Sequence, residues 1–199
     1  MPENLPGARR TVGVPVSWLD QSLDILSRVE TPVDIGRSAA DIYAYLLDFP
    51  RHVEWAHTYL SVERLAPGET QVGSRFRVRE KQDLRSDKRP FTTIADRAGT
   101  DYTSEVEVTA LDPDRRVEWT SRVADQPLSA VWQVELDPVA DTITTVRMSA
   151  KLTAPRPALE AWMHQLQAAG QPLDIIARQV DRALHNLRTI LEGRAGGPR

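Results

Sequence analysis

Ser38-Ala39-Ala40-Asp41-Ile42-Tyr43-Ala44-Tyr45-Leu46-Leu47 reads as a capped helix, and its place in the chain decides the fold. Ser38 is a good N-cap. Asp41 holds the capping-box position three residues on, where Asp substitutes for the usual Glu or Gln. Just upstream, Arg28 to Ile35 reads as a strand. Downstream, the apolar period is mostly two from Tyr59 to Leu152, and helical from Pro157 to Leu191. This order lets a curved antiparallel sheet wrap around one long gripping helix. The space between sheet and helix is a natural pocket for an apolar small molecule.

The first helix is expected to end near Asp48-Phe49-Pro50, because residues before Pro disfavour the α region. Pro50 can start the next turn, which places His52, Val53 and Trp55 on a second short helix. Tyr59 to Ala66 then reads as a strand turned by Pro67-Gly68, and Gly73 to Glu80 as another with Phe76 and Val78 on one face. Residues 81–101 are the least regular, a mobile loop or extended hairpin with a short strand at Phe91 to Ala95. Tyr102 to Leu111 turns Val106 and Val108 inward. Arg116 to Arg122 aligns Val117, Trp119 and Ser121. Leu128 to Leu136 aligns Ala130, Trp132, Val134 and Leu136, and Thr142 to Leu152 aligns Val146, Met148, Ala150 and Leu152. The turns at Asp112-Pro113-Asp114 and Asp137-Pro138 are short, which implies an antiparallel meander.

The last segment begins with a helical piece bearing Leu159, Trp162, Met163 and Leu166, interrupted at Gly170-Gln171-Pro172. The main helix aligns Leu173, Ile176, Val180, Leu184, Leu187 and Leu191 in one stripe and closes at Gly193. Residues 81–101 and 157–169 are expected to flank the pocket mouth. At the other end, residues 1–10 read as disordered. Ser17 to Leu26 could form a short amphipathic helix with Leu19, Leu23 and Leu26 on one face, an arm packed on the body or on a second subunit. The organisation is therefore an arm over residues 1–27, a single domain over 28–192 and a loose tail over 193–199.

Composition narrows the function. The chain has 199 residues, enough for a substantial core, with 41% hydrophobic and 27% charged residues, as in a soluble globular protein. No run approaches the ~20 apolar residues of a membrane span, and the N-terminal residues lack the apolar core of a secretory signal. There is no Cys, which excludes disulfides, thiol catalysis and Cys-ligated metals. A cytoplasmic location fits. The net charge of −3 gives no electrostatic reason to expect nucleic-acid binding. Arg75, Arg77 and Arg79 occupy one face of a strand and read as a solvated outer face.

Catalytic motifs are lacking. The four His, at 52, 57, 164 and 185, form no His-Glu-x-x-His motif, and rim or surface positions are expected for all of them. There is no Gly-rich phosphate loop and no Gly-x-Ser-x-Gly elbow. No catalytic residue, metal ligand or cofactor is assigned. The inward strand faces are instead apolar and aromatic. Phe76, Val78, Val106, Val108, Trp119, Trp132, Val134, Met148, Trp162 and Leu166 are the candidate ligand-binding residues. Trp is amphipathic and seldom completely buried, so a partly open pocket suits it.

Several stretches carry a family likeness. They are Val33-Asp34-Ile35 with Ser38 to Asp48, then Phe49-Pro50-Arg51-His52-Val53-Glu54-Trp55, Ser61-Val62-Glu63-Arg64-Leu65, Val72-Gly73-Ser74-Arg75-Phe76, and Ser104-Glu105-Val106 leading to Leu111 through Trp119. Over about residues 28–192 the chain resembles the START-like, or helix-grip, superfamily (SRPBCC), which contains polyketide cyclase/dehydrase-type proteins, lipid-transfer START domains and the birch pollen allergen. The resemblance implies an α+β helix-grip fold. A curved antiparallel sheet of about seven strands would wrap around a long C-terminal helix, with two short helices after the first strand. It also implies a cavity for lipids, polyketides or other hydrophobic molecules. Two departures stand out, the arm over 1–27 and the long 81–101 link. Aromatase/cyclase members carry a strand Arg with a Trp close behind; here Arg116 and Trp119 alternate to opposite faces, so cyclase activity is not carried over. The expectation is a binder of a hydrophobic small molecule. A polyketide cyclase or dehydratase is the alternative and a protein-interaction module the third option. The expected partners are that small molecule and, through the arm, a second copy of the chain.

Overall fold

The structure is a computed structural model that describes residues 22–28, 32–81, 101–124, 127–168 and 175–193. Ser38 caps α1 (Ala39–Leu47) as expected: its Oγ accepts from the Asp41 backbone N–H at 3.2 Å and donates to the Asp41 carboxylate at 2.8 Å. One hydroxyl thus ties both halves of the box, and Asp is long enough because it meets the Ser side chain rather than its backbone. Pro50 then starts a 3₁₀ helix, Phe49–Glu54, in place of an α-helical turn. Its threefold period puts Phe49 and His52 on the same face, against the core.

Among the described residues the sheet has eight antiparallel strands. From β3 (Tyr59–Arg64) through β4 (Arg75–Lys81), β5 (Asp101–Asp112), β6 (Arg116–Val123) and β7 (Ser129–Ala140) to β8 (Ile143–Pro155), each strand pairs with its successor. β1 (Ser22–Arg28) and β2 (Val33–Ile35) both lie along the free edge of β8, β1 on Ser149–Pro155 and β2 on Thr144–Val146. They share one edge position, so the sheet is seven strands wide, curved and unclosed. α1 and the 3₁₀ helix carry the chain from that edge to the opposite one at β3.

Two expectations change at the ends of strands. The amphipathic helix over Ser17–Leu26 is not formed where the structure describes it, since Ser22–Leu26 belongs to β1. A free β8 edge offers a ladder of backbone partners that a short isolated helix cannot match. The expected turn at Asp137-Pro138 lies instead at Asp141-Thr142, with Pro138 inside β7 opposite Thr144. β6 stops at Arg116, opposite Glu135, and the register shifts between Pro138 and Ala140. Proline is therefore accommodated beyond the last β6 partner and beside a bulge. At the β5–β6 turn, Asp114 takes φ 59°, a left-handed conformation that Asp tolerates.

The core lies between the sheet, α1 and α3 (Ile175–Gly193). α2 (Arg156–Ala168) follows β8 directly. Ile35, Ile42, Leu46, Phe76, Val108, Val134, Leu184 and Leu187 are fully buried. α3 buries Val180, Ala183, Leu184, Leu187 and Leu191 and packs on β1, β2, β8 and the 3₁₀ helix. Leu173, expected to begin this stripe, lies outside the described residues. The β2–α1 link clamps the far end of α3. Arg37 donates two hydrogen bonds, of 2.9 and 2.8 Å, to the Leu191 carbonyl, and Gly36 N–H donates to Glu192 at 3.0 Å. A guanidinium on a C-terminal carbonyl also complements the helix dipole. On the outer face, Arg75, Arg77 and Arg79 are exposed and pair with Glu105, Glu63 and Asp101, as a solvated face requires. No described helix is long and apolar enough to cross a membrane.

Candidate functional site

A cavity of about 460 Å³ opens between the sheet and the N-terminal half of α3. Side-chain volumes explain its position. Toward its C-terminus α3 presents Leu184, Leu187 and Leu191, which fill the groove; toward its N-terminus it presents Ala183, Val180 and Ile176, which line the cavity. The opposing strands are also small there. Ser121 on β6 and Ala130 on β7 are cross-strand partners, and both line the space. Next to them Trp119 and Trp132 are partners in register and form an aromatic wall, with Met148 and Leu152 of β8 beyond. Trp132 donates its indole N–H to Ser121 Oγ at 2.9 Å, which fixes the ring.

The wall toward β3–β5 is polar. Tyr59, Glu80 and Tyr102 are register partners across three adjacent strands, and all three line the cavity. Glu80 is only 9% exposed. Its carboxylate accepts from Ser104 Oγ at 2.5 Å and from the Tyr102 hydroxyl at 3.0 Å. It makes no ion pair among the described residues. Burial raises its pKa above the ordinary 4.5, against the lowering effect of the two hydroxyls. Burial, followed by the Glu80 charge, also raises Tyr59 and Tyr102. Both phenols stay protonated at neutral pH.

Behind the cavity lies an aromatic cluster. His52 stacks on Phe49 with centroids 4.4 Å apart, and Phe49 stacks on Phe76 at 4.5 Å. His52 was expected at the rim, but it is fully buried because the 3₁₀ turn rolls it inward beside Phe49. Its Nε2 meets the Leu46 carbonyl at 2.8 Å, and burial lowers its pKa to about 4, so the ring is neutral. His57 lines the cavity, while His164 and His185 are exposed.

The expected ligand-binding residues therefore divide. Trp119, Trp132 and Met148 line the cavity. Phe76, Val78, Val106, Val108 and Val134 face the same side of the sheet but are buried in the core and do not line it. They sit where the large side chains of the 3₁₀ helix and α3 fill the groove. Trp162 and Leu166 lie on α2, but their side chains are outside the described residues. So are residues 82–100, although Lys81 and Asp101 at their margins line the cavity. The sequence reading missed Trp55, which is buried and lines the cavity, and the trio Tyr59, Glu80 and Tyr102. The signal for Glu80 was present, because it continues the alternation of Phe76 and Val78 on β4.

A family model described as polyketide cyclase / dehydrase and lipid transport matches residues 27–192. Among solved structures, the chain is similar to the Zhui aromatase/cyclase from Streptomyces sp. R1128, with a TM-score of 0.57 and 16% identity over 89% of this chain and 99% of that one. It is also similar to a START superfamily protein from Mycobacterium smegmatis, with a TM-score of 0.53 and 12% identity over 87% and 95% of the two chains. The major latex-like protein 151 of Panax ginseng aligns with a TM-score of 0.54 and 12% identity over 85% and 97%. At these identities the likeness is one of fold. No curated protein matches the chain.

Proposed function

The chain belongs to the polyketide cyclase / dehydrase and lipid transport family, and we propose that it binds a hydrophobic small molecule in the cavity between the sheet and α3. One observation carries this reading: an aromatic-walled space of about 460 Å³ at the open end of the grip, within the size range of small-molecule sites. A filled interior would have favoured an interaction module. The simplest form of the reading is a carrier that works in the cytoplasm, alone or as a homodimer. Titration with the neutral dye Nile red tests it. Saturable, one-to-one, blue-shifted emission is expected, and Ala183→Phe, which places a ring in the cavity, should abolish it while the fold persists. Emission that fails to saturate, or is equal in the variant, would refute the reading.

A second reading, a cyclase or dehydratase for a polyketide-like substrate, is favoured by Glu80. An inward acid at the cavity wall can take a proton from an enolisable carbon, and the protonated Tyr59 and Tyr102 can donate to a carbonyl oxygen. Incubation with a poly-β-ketone thioester mimic tests it. Loss of water from the substrate, detected by mass and lost in Glu80→Gln, would support catalysis; unchanged substrate would leave binding alone.

A further inference from the structure

We propose that the molecule held in this cavity is an apolar amine, its ammonium group seated on Glu80 and its tail among the tryptophans. The inference rests on the binding reading above and specifies the ligand's head group. Glu80 is the key observation. It is a carboxylate removed from water, facing a cavity, with no cationic partner among the described residues. Lys81, next in the chain, borders the cavity margin but alternates to the exposed face of β4, and it makes no ion pair with Glu80.

The hydrogen-bond count supports a donor ligand. Ser104 and Tyr102 each donate one bond, to different oxygens of the carboxylate. An ionised carboxylate offers about four acceptor sites, so acceptor capacity remains on the cavity side. A buried anion with spare lone pairs is costly until a charged donor meets it. An ammonium group supplies both the charge and the N–H bonds. A second ligand carboxylate would add like charge, and a hydroxyl would supply a bond without the charge.

The surroundings suit the same head group. Tyr59 and Tyr102 flank Glu80 and Trp55 and Trp119 line the same cavity, and aromatic rings attract organic cations while accepting apolar tails. Glu105 and Glu107 of β5 alternate away from this face, and Asp101 at the cavity margin is paired with Arg79, so Glu80 is the lining carboxylate of its strand pair without a cation among the described residues.

The test uses three ligands with one tail. Dodecylamine, dodecanol and dodecanoate, each below its micelle concentration, compete for bound Nile red in the wild type and in Glu80→Gln. In the wild type, dodecylamine should displace the dye at about tenfold lower concentration than dodecanol, a difference of ~1.4 kcal/mol. In the variant that preference should vanish, so that dodecylamine and dodecanol displace the dye at similar concentrations. The wild-type comparison needs no variant, so it stands even if Glu80→Gln fails to fold. Dodecanol or dodecanoate competing as well as the amine, or an amine preference retained in a folded variant, would overturn the inference while leaving the binding reading intact. If Nile red itself does not bind saturably, the binding reading falls and the inference falls with it.

Discussion

Two buried ionisable side chains give this protein opposite pH responses. His52 is neutral in the fold, with its pKa lowered from 6.5 to about 4 by burial. Above pH 6.5 the ring is neutral in both folded and unfolded chains. As pH falls from 6.5 toward 4, only the unfolded chain takes up the proton, so stability should drop across that window by up to about 3 kcal/mol. Urea unfolding at stepped pH measures this, and His52→Phe should flatten that part of the slope. Glu80 works the other way. Its pKa is raised by burial, so its contribution is most favourable below 4.5 and is lost as pH rises through the folded-state value. Glu80→Gln should therefore gain stability relative to the wild type as pH rises above 4.5, while losing its preference for an amine. Trp132 should matter for binding rather than folding: it is half-buried on the cavity wall. Trp132→Ala should weaken Nile red binding by about tenfold in a protein that stays folded.

At the scale of elements, α3 does two jobs along its length. Its C-terminal half is a packed core helix and its N-terminal half is a cavity wall. Leu184→Ala, in the packed half, should cost about 2–5 kcal/mol in urea unfolding. Arg37→Ala removes the clamp on the Leu191 carbonyl and should cost about 1.5–3 kcal/mol, with faster amide exchange in the last turn of α3. The periodicities of α1, β4 to β8 and α3 could be read from sequence because each has one buried face, so pattern and structure coincide. The misplaced elements lack that property. Ser22–Leu26 has alternating character weak enough to pass as helical, and only the distant β8 edge makes it a strand. Pro138 looks like a turn because the chain alone does not reveal that β6 has already ended beside it.

For the whole molecule, the grip was legible and the cavity's position was not. Inward strand residues can be identified by alternation, yet alternation does not tell which part of the groove α3 fills. Val106 and Trp119 share a face, but one packs in the core and the other borders empty space. The difference lies in what fills the groove: Phe49 of the 3₁₀ helix stacks on Phe76, the partner of Val106, while small Ala183 of α3 lines the space that Trp119 borders. Glu80 is masked in the sequence because its two neighbours on that face, Phe76 and Val78, are apolar, although its alternation is unbroken. The central claim is that this open half of the grip holds an apolar ligand. Native mass spectrometry of the protein mixed with dodecylamine, in parallel with Ala183→Phe, tests it most directly. A one-to-one adduct in the wild type that is lost in the variant is the predicted result. No adduct in the wild type, or equal adducts in both proteins, would contradict it.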